Sequence, residues 1–156
     1  RKFVGHMLSP DDAYRLQTQM ASFELRYRQQ CDNAAAVASM LKSSDLVAGV
    51  LYPGLESHDT HEAAKELTGG KGYGAMIAFD LAGASPEAKR KNRDRFIAAV
   101  YPEIRLIPTL GDNHTILMPV EAVWGTKYPE PGMIRLSVGY EKTDRLAEII
   151  GRGLKG

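Results

Sequence analysis

The sequence has 156 residues, 44% of them hydrophobic and 25% charged, with a formal net charge of +1 at pH 7. This composition is typical of one globular domain, and the near balance of charge gives no argument for nucleic acid or an anionic membrane as a partner. Cys31 is the only cysteine, which excludes a disulfide within the chain and fits a reducing compartment. No apolar run approaches the roughly 18 residues of a membrane-spanning helix.

Residues 1–156 are expected to form a single domain that is part of a longer protein. The first residue is Arg1 rather than an initiator methionine, and no signal peptide is visible in the opening residues. We therefore predict a cytoplasmic protein of which this chain is one piece.

A long helix is predicted over residues 10–41. Ser9 supplies a hydroxyl cap, Pro10 fits the first turn, and Asp11 places an acid at the positive end of the helix dipole. Apolar residues then recur at spacings of three and four, and residues 32–33 are the weakest point of the pattern. Such a helix needs a large body or a second subunit to pack against. Its apolar stripe consists of Leu16, Met20, Phe23, Tyr27, Cys31, Ala34, Val37 and Leu41.

Short strands and helices alternate along the rest of the chain. Their connections lack the regular length of a doubly wound sheet. We therefore predict an α+β domain, in which a small, mostly antiparallel sheet carries helices on one face and follows the long N-terminal helix. The strands are predicted at 46–51, 73–81, 104–109, 115–120 and 133–140, and the helices at 58–67, at 85–100 and from a cap at 143–144 to the end.

The strand at 133–140 carries the first candidate for binding. Its aliphatic residues fall on the face that packs against the helices, whereas Arg135, Ser137 and Gly139 fall on the other face, because side chains alternate along a strand. A guanidinium between two small residues has room for a planar carboxylate, which it binds through two parallel hydrogen bonds. The alternative is a solvated arginine on the open face of a sheet.

Two loops also contain residues suited to anions. The turn over residues 108–115 can offer hydroxyl and backbone N–H donors, or it is an ordinary turn in which Asp112 and Asn113 bond their own backbone. The glycine-rich run 69–74 follows a helix and precedes a strand. This is the reverse of the order in a phosphate-binding loop, so we interpret the run as a helix stop and a connector.

Other polar clusters give weaker signals. The basic cluster at 89–95 lacks interleaved aromatic residues and is interpreted as a solvated helix face. The four histidines and the single cysteine do not have the spacing of metal ligands, and no Ser-His-Asp or Cys-His group stands out. No metal site and no catalytic residue is therefore predicted in this chain.

Five stretches of the sequence form recognisable motifs. They read SPDDAYRLQTQMASFELRYRQQCDNAAAVASML, VLYPGLESHDTHEAAKEL with YGAMIAFDL, TLGDNHTIL, and MIRLSVGYEKTDRLAEII. In this order they resemble the C-terminal part of the transsulfuration family of pyridoxal-phosphate enzymes, which includes cystathionine gamma-synthases and lyases, methionine gamma-lyase and homoserine-ester sulfhydrylases. The resemblance covers nearly the whole chain. It fails at MPVEAVWGTKYPEPG, which is shorter than the family's segment, and at residues 18–22.

The resemblance implies a C-terminal substrate-binding domain of an enzyme that eliminates or replaces a β or γ substituent of a sulfur amino acid. Arg135 would bind the α-carboxylate of the amino-acid substrate, and Thr109 would assist. The cofactor would be pyridoxal 5'-phosphate, held by an N-terminal large domain that is absent here together with its lysine, so the chain alone is expected to be inactive. Lys71 and Lys127 lie in no matching context. The family's homotetramer would give the long helix its neighbours.

Two alternatives stay open at this point. The chain is a non-catalytic assembly or binding module, or its basic helix binds nucleic acid with an affinity that falls as salt rises. The sequence does not distinguish a lyase, a synthase and a sulfhydrylase from one another.

Overall fold

A computed structural model of the protein describes residues 5, 7–127 and 130–156. Residues 1–4, 6, 128 and 129 of the predicted domain lie outside this part. The helices are α1 (Pro10–Met20), α2 (Phe23–Lys42), α3 (His61–Thr68), α4 (Pro86–Val100), α5 (Val120–Trp124) and α6 (Thr143–Lys155), with a 3-10 turn at Gly125–Lys127 after α5. The strands are β1 (Val47–Leu51), β2 (Met76–Leu81), β3 (Arg105–Leu106), β4 (Ile116–Pro119) and β5 (Ile134–Ser137).

The five strands within the described residues form one sheet in the order β1-β2-β5-β4-β3. Neighbouring strands are antiparallel except β3 and β4, which are parallel. β5 is the last strand in chain order and yet lies in the middle, where Arg135 pairs in register with Ala78 of β2 and with Met118 of β4. The predicted small, mostly antiparallel sheet is confirmed.

Helices α2, α4 and α6 cover one face of this sheet, as predicted. Phe79 of β2 meets Phe96 of α4 edge to face, with ring centroids 5.5 Å apart. Gly153 lets α6 approach α4 closely, because a β-carbon at this position would lie 2.5 Å from Val100 Cγ1. Burying a Leu, Ile, Val or Phe side chain here contributes about 1.5–3 kcal/mol, so this face supplies most of the stability of the domain. Its fully buried aliphatic residues include Leu41, Ile77, Ile134, Leu136, Leu146 and Ile150.

The predicted continuous helix over residues 10–41 is corrected to two helices, α1 and α2, with a turn at residues 21–22. Ser22 leaves helical geometry at φ −108° and ψ 7°. The guanidinium of Arg26 donates to the Ser22 hydroxyl and, at 3.0 Å, to the carbonyl oxygen of Gln19, which stabilises the turn. Sequence reasoning placed the weak point at residues 32–33, but α2 continues there because the amide of Asn33 is fully buried and hydrogen-bonded.

Ser9 caps α1 as predicted, and its hydroxyl accepts from the Asp12 N–H at 3.1 Å. No residue of α1 is buried. The apolar stripe of α1 is therefore exposed. Among the described residues, no helix is long and apolar enough to cross a membrane.

Two further details differ from expectation, one in a helix and one in a strand. The cap of α6 is Lys142 rather than Thr143, whose hydroxyl instead donates to Asn33 Oδ1 at 2.7 Å. Strand β3 is short because Pro108 has no N–H to continue the ladder, whose last hydrogen bond runs from Ile107 N to Leu117 O at 3.0 Å. Gly69 ends α3 in a left-handed conformation, as predicted.

The basic cluster on α4 is only partly solvated, which corrects its interpretation as a solvated face. Arg90 and Arg93 both pair with Glu121 of α5. Lys89 pairs with the buried Asp80 of β2 at 2.5 Å. These cations hold α4 against its neighbours.

Candidate functional site

Arg135 lies on the middle strand, on the face opposite the helices. Its Nη2 donates to the carbonyl oxygens of Pro108 at 2.8 Å and Thr109 at 2.6 Å. A guanidinium has five N–H groups, so these two hydrogen bonds leave three that donate to none of the described residues. Its Nε is among these three, and it is buried. Two backbone carbonyl oxygens thus hold the half-buried guanidinium, and its other N–H groups can donate to a ligand.

No carboxylate of the described residues forms an ion pair with Arg135. The two groups that contact the guanidinium are neutral carbonyls. Both hydrogen bonds of the guanidinium are solvent-exposed, so the side chain keeps part of its hydration. An anionic ligand would add a charged partner that the described residues do not supply.

The small residues beside Arg135 are not open, which corrects the expectation that both leave room for a ligand. Ser137 is buried, and its hydroxyl accepts a hydrogen bond from the Gly111 N–H at 3.0 Å. Gly139 is also buried, since a β-carbon there would meet Asn113 O and lie 2.6 Å from His114 C. The backbone of the turn fills this space.

The turn at 108–115 is at Asp112 the ordinary turn of the second interpretation, and the N–H groups of Gly111 and Thr115 donate to side chains of the protein rather than being free for an anion. Asp112 bonds its own backbone, because its Oδ1 accepts from the His114 N–H at 3.1 Å, and this hydrogen bond lowers the pKa of Asp112 below its usual value. Thr109 is exposed and lies beside Arg135, so the structure brings the two predicted site residues together. Thr109 contacts the guanidinium through its carbonyl oxygen. Its hydroxyl has no hydrogen bond within the described part of the chain.

Asn33, Thr115 and Glu141 lie behind the turn and were missed by sequence reasoning. They form a connected set of hydrogen bonds that reaches from α2 to the end of β5. One signal was available in the sequence, because Asn33 is a polar residue inside the apolar run of α2. Thr115 and Glu141 stand in two of the motifs that carry the family resemblance, TLGDNHTIL and MIRLSVGYEKTDRLAEII, but no role was predicted for either residue.

A separate groove of about 630 Å³ lies between α2 and the connector at residues 70–73. Its lining includes Arg28 and Lys71, whose charges are balanced by Glu24 and Asp32, and it does not include Arg135. This groove therefore shows no preference for an anion. In the described part of the chain, no three His, Cys, Asp or Glu side chains lie together as metal ligands would.

The family model described as "Cys/Met metabolism PLP-dependent enzyme" matches residues 1–155. The chain belongs to this family. The earlier resemblance to transsulfuration enzymes is thereby confirmed, together with pyridoxal 5'-phosphate as the cofactor that the Cys/Met metabolism enzymes use.

Curated relatives of the Cys/Met metabolism family align over almost the entire chain. An L-methionine gamma-lyase of Fusobacterium nucleatum subsp. polymorphum is 30% identical over 164 residues, which cover 99% of this chain and 40% of the relative. A canavanine gamma-lyase of Rhizobium leguminosarum bv. trifolii is 35% identical over 158 residues, covering 97% of this chain and 38% of the relative. The chain thus spans about two fifths of the length of these relatives.

Solved structures of the Cys/Met metabolism family share the fold. An O-acetylhomoserine sulfhydrylase of Wolinella succinogenes has a TM-score of 0.78 at 28% identity, covering 97% of this chain and 40% of that one. A cystathionine gamma synthase of Xanthomonas oryzae pv. oryzae, in complex with cystathionine, has a TM-score of 0.76 at 25% identity and covers 94% and 38%. The α+β architecture is that of this family.

The residues around Arg135 do not by themselves fit pyridoxal phosphate. The cofactor needs a lysine amine to anchor it. Neither the register partners of Arg135, which are Ala78 and Met118, nor the turn at 108–115 contains a lysine. These surroundings of Arg135 therefore lack the group that would anchor this cofactor.

Proposed function

We propose that this chain is the substrate-binding domain of a pyridoxal-phosphate enzyme that eliminates or replaces a β or γ substituent of a sulfur amino acid. In this proposal Arg135 binds the α-carboxylate of the substrate. The observation that carries it is a half-buried guanidinium on the central strand, held by two neutral carbonyls and not paired with any carboxylate of the described residues. The family and its two gamma-lyase relatives support the reaction class.

The chemistry of the site favours a carboxylate. Arginine presents parallel N–H groups that match the two oxygens of a carboxylate, and such charge-assisted hydrogen bonds are about twice as strong as neutral ones. Thr109 is exposed beside the guanidinium, so its hydroxyl is available to donate to the same ligand. The carbonyls of Pro108 and Thr109 fix the orientation of the guanidinium before the ligand arrives.

The role of this site is orientation. A carboxylate held by Arg135 and Thr109 restricts rotation of the substrate, so that one bond at its α carbon points in a fixed direction. Pyridoxal phosphate, when bound, supplies the electron sink for reactions at the α and β carbons. We place its binding, and its lysine, in an N-terminal domain outside this chain, and we place the assembled protein in a homotetramer.

The test compares variants of Arg135 in the full-length protein. Arg135→Ala should lower kcat/KM for the amino acid by about 100-fold, which corresponds to roughly 3 kcal/mol of lost transition-state stabilisation. Arg135→Lys should recover only part of the loss, because an ammonium lacks the planar pair of donors. The carboxamide of the same amino acid is the control substrate, and its kcat/KM should change little. Equal kcat/KM values for wild type and Arg135→Ala would refute the proposal.

A second candidate is a module for assembly, which the exposed stripe of α1 favours. Tyr14, Leu16 and Met20 are each more than half exposed in a helix without a buried residue. If assembly were the only function, Leu16→Ser with Met20→Ser would change the mass of the complex in solution and Arg135→Ala would leave kinetics intact. If Arg135→Ala loses activity and the double variant of α1 does not, the substrate-binding role is favoured.

A further inference from the structure

The turn at residues 109–115 is fixed to the end of β5 by a group of polar residues, which we call the polar latch and define as Asn33, Thr115 and Glu141. The carboxylate of Glu141 accepts hydrogen bonds from both the N–H and the hydroxyl of Thr115, the latter at 3.0 Å. The Thr115 hydroxyl in turn accepts from the Gly139 N–H at 3.0 Å. Thr115 is 1% exposed, so these bonds are shielded from competing water.

Asn33 holds the other side of the same backbone. Its Nδ2 donates to the carbonyl oxygens of Gly139 at 3.1 Å and Glu141 at 2.8 Å. Its Oδ1 accepts from Gln29 at 2.9 Å and from Thr143 at 2.7 Å. All four hydrogen-bonding capacities of the amide are therefore used. The segment from Gly139 to Glu141 is held between α2 and the turn.

Glu141 is half-buried, and its carboxylate is not part of an ion pair in the described chain. Its charge is matched only by the neutral donors of Thr115. A charge-assisted hydrogen bond of this kind is stronger than a neutral one. A neutral amide in its place could accept from the Thr115 N–H and donate to the Thr115 hydroxyl, but both hydrogen bonds would lose the assistance of the negative charge.

The polar latch connects with Arg135 through a short stretch of backbone. Thr115 fixes one end of the turn, and Gly111 is fixed by the hydroxyl of Ser137. Only one residue separates Gly111 from Thr109, whose carbonyl oxygen contacts the guanidinium. With both anchors in place, the two carbonyls that orient Arg135 have little freedom to move.

We propose that Glu141 is a positioning residue for the carboxylate site: by holding Thr115 it fixes the turn whose carbonyls set the direction of the Arg135 guanidinium. The inference rests on the proposed function of Arg135. Binding groups must be held within about 0.5 Å and 10–20° of their productive geometry. Loosening the turn therefore weakens recognition of the carboxylate without touching the substrate.

The experiment measures kcat/KM for an amino acid and for its carboxamide in the full-length enzyme, and takes their ratio as the discrimination. Glu141→Gln should reduce this discrimination about tenfold, through a higher KM for the amino acid and with kcat changed less than twofold. Glu148→Gln, which removes a carboxylate of an exposed ion pair on α6, is the matched control and should keep the wild-type ratio. A loss of stability alone would not separate the two substrates.

A second pair of variants tests the same contact from the other side. Thr115→Val removes the hydroxyl while keeping the shape of the side chain, and it should reduce the discrimination as Glu141→Gln does. Thr115→Ser restores the hydroxyl and should return the ratio to within about twofold of wild type. This pair decides the matter if Glu141→Gln is recovered in too low an amount.

The outcomes separate the two proposals. If Arg135→Ala removes the discrimination but Glu141→Gln and Thr115→Val both retain the wild-type ratio, the positioning role is wrong and the carboxylate site stands. If Arg135→Ala itself leaves the ratio unchanged, the proposed function is wrong. A drop in kcat for both substrates alike would also contradict the positioning role.

Discussion

Two arginines of α4, Arg90 and Arg93, and the arginine of β5 have opposite surroundings. Arg90 and Arg93 converge on one carboxylate, Glu121, at 3.0 and 2.9 Å, and that carboxylate also accepts from the Gly132 N–H at 2.9 Å. Within the described residues, the guanidinium of Arg135 donates only to two carbonyl oxygens. The first region uses its cations to attach α5 to α4, whereas the second keeps a cation without a counter-charge.

The presence or absence of a carboxylate partner indicates which arginine is available to bind a ligand. A cation with a charged partner inside the protein contributes to stability, and a ligand would have to displace that partner. A cation held only by neutral groups gains from an incoming anion. Side-chain changes in the α4 region should therefore alter stability, and changes around Arg135 should alter substrate recognition.

The largest change in the free energy of unfolding is expected from substituting a glycine in each region, Gly139 near Arg135 and Gly132 near α4. At Gly139 a β-carbon would lie 2.6 Å from the backbone carbon His114 C, and at Gly132, where φ is +79°, it would lie 2.9 Å from the backbone of Lys89. Each change to alanine should cost about 2–4 kcal/mol, because backbone has to move. Urea unfolding measures this loss. Only Gly139→Ala should also lower kcat/KM for the amino acid, and an equal kinetic loss in Gly132→Ala would erase the distinction between the regions.

Removing one cation from the α4 region should have a moderate effect. Arg93 is 13% exposed, so Arg93→Ala leaves Glu121 short of a buried partner and should lower the free energy of unfolding by about 1–2 kcal/mol. KM for the amino acid should stay within twofold of wild type. The comparison variant is Arg135→Ala, which should show the reverse pattern of unchanged stability and impaired kinetics. Impaired substrate recognition in Arg93→Ala would show that the regions are coupled.

A pH dependence of stability is expected from Glu121. The hydrogen bond from Arg90, followed by that from the Gly132 N–H, lowers the pKa of Glu121 below its usual value of about 4.3. A lowered folded-state pKa stabilises the protein above the unfolded-state value, and this contribution is lost as pH falls through the folded-state pKa. The free energy of unfolding, measured with urea at several pH values between 6 and 3, should fall less steeply with decreasing pH for Glu121→Gln than for wild type. An equal pH dependence in both proteins would mean that Arg90 and the Gly132 N–H do not stabilise the Glu121 carboxylate.

The smallest effect is expected at the exposed part of the basic helix. Lys91 is exposed, so Lys91→Gln should change the free energy of unfolding by less than about 0.5 kcal/mol and leave kinetics unaltered. The same variant tests the alternative of nucleic-acid binding. Salt-dependent affinity for DNA that falls in Lys91→Gln would support that alternative.

The sequence predicted the features that depend on local chemistry. Ser85 and Pro86 begin α4 because a hydroxyl cap and a first-turn proline act within one helical turn, and the Ser85 hydroxyl does accept from the Ala88 N–H at 3.2 Å. The break at Ser22 was missed because it involves the particular reach of Arg26 across a turn. Element types followed from periodicity, while strand lengths depended on pairing partners.

The site was less accessible to sequence reasoning than the fold. Alternation placed Arg135 on the face away from the helices, but its nearness to Thr109 came from the family resemblance rather than from spacing. The polar latch was missed because its contacts are distant along the chain: Asn33 and Gly139 are 106 positions apart. Cytoplasmic location and a tetramer stay predictions.

The position of β5 has a consequence for how the protein is made. Residues 134–137 are translated after every other strand, and yet they fill the slot between β2 and β4. Until they arrive, both flanking strands present unpaired edges, which are templates for aggregation. Pairing over such long separations is also slow. A nascent chain that stalls before Ile134 is therefore expected to depend on chaperones, since its sheet lacks the strand that joins β2 to β4.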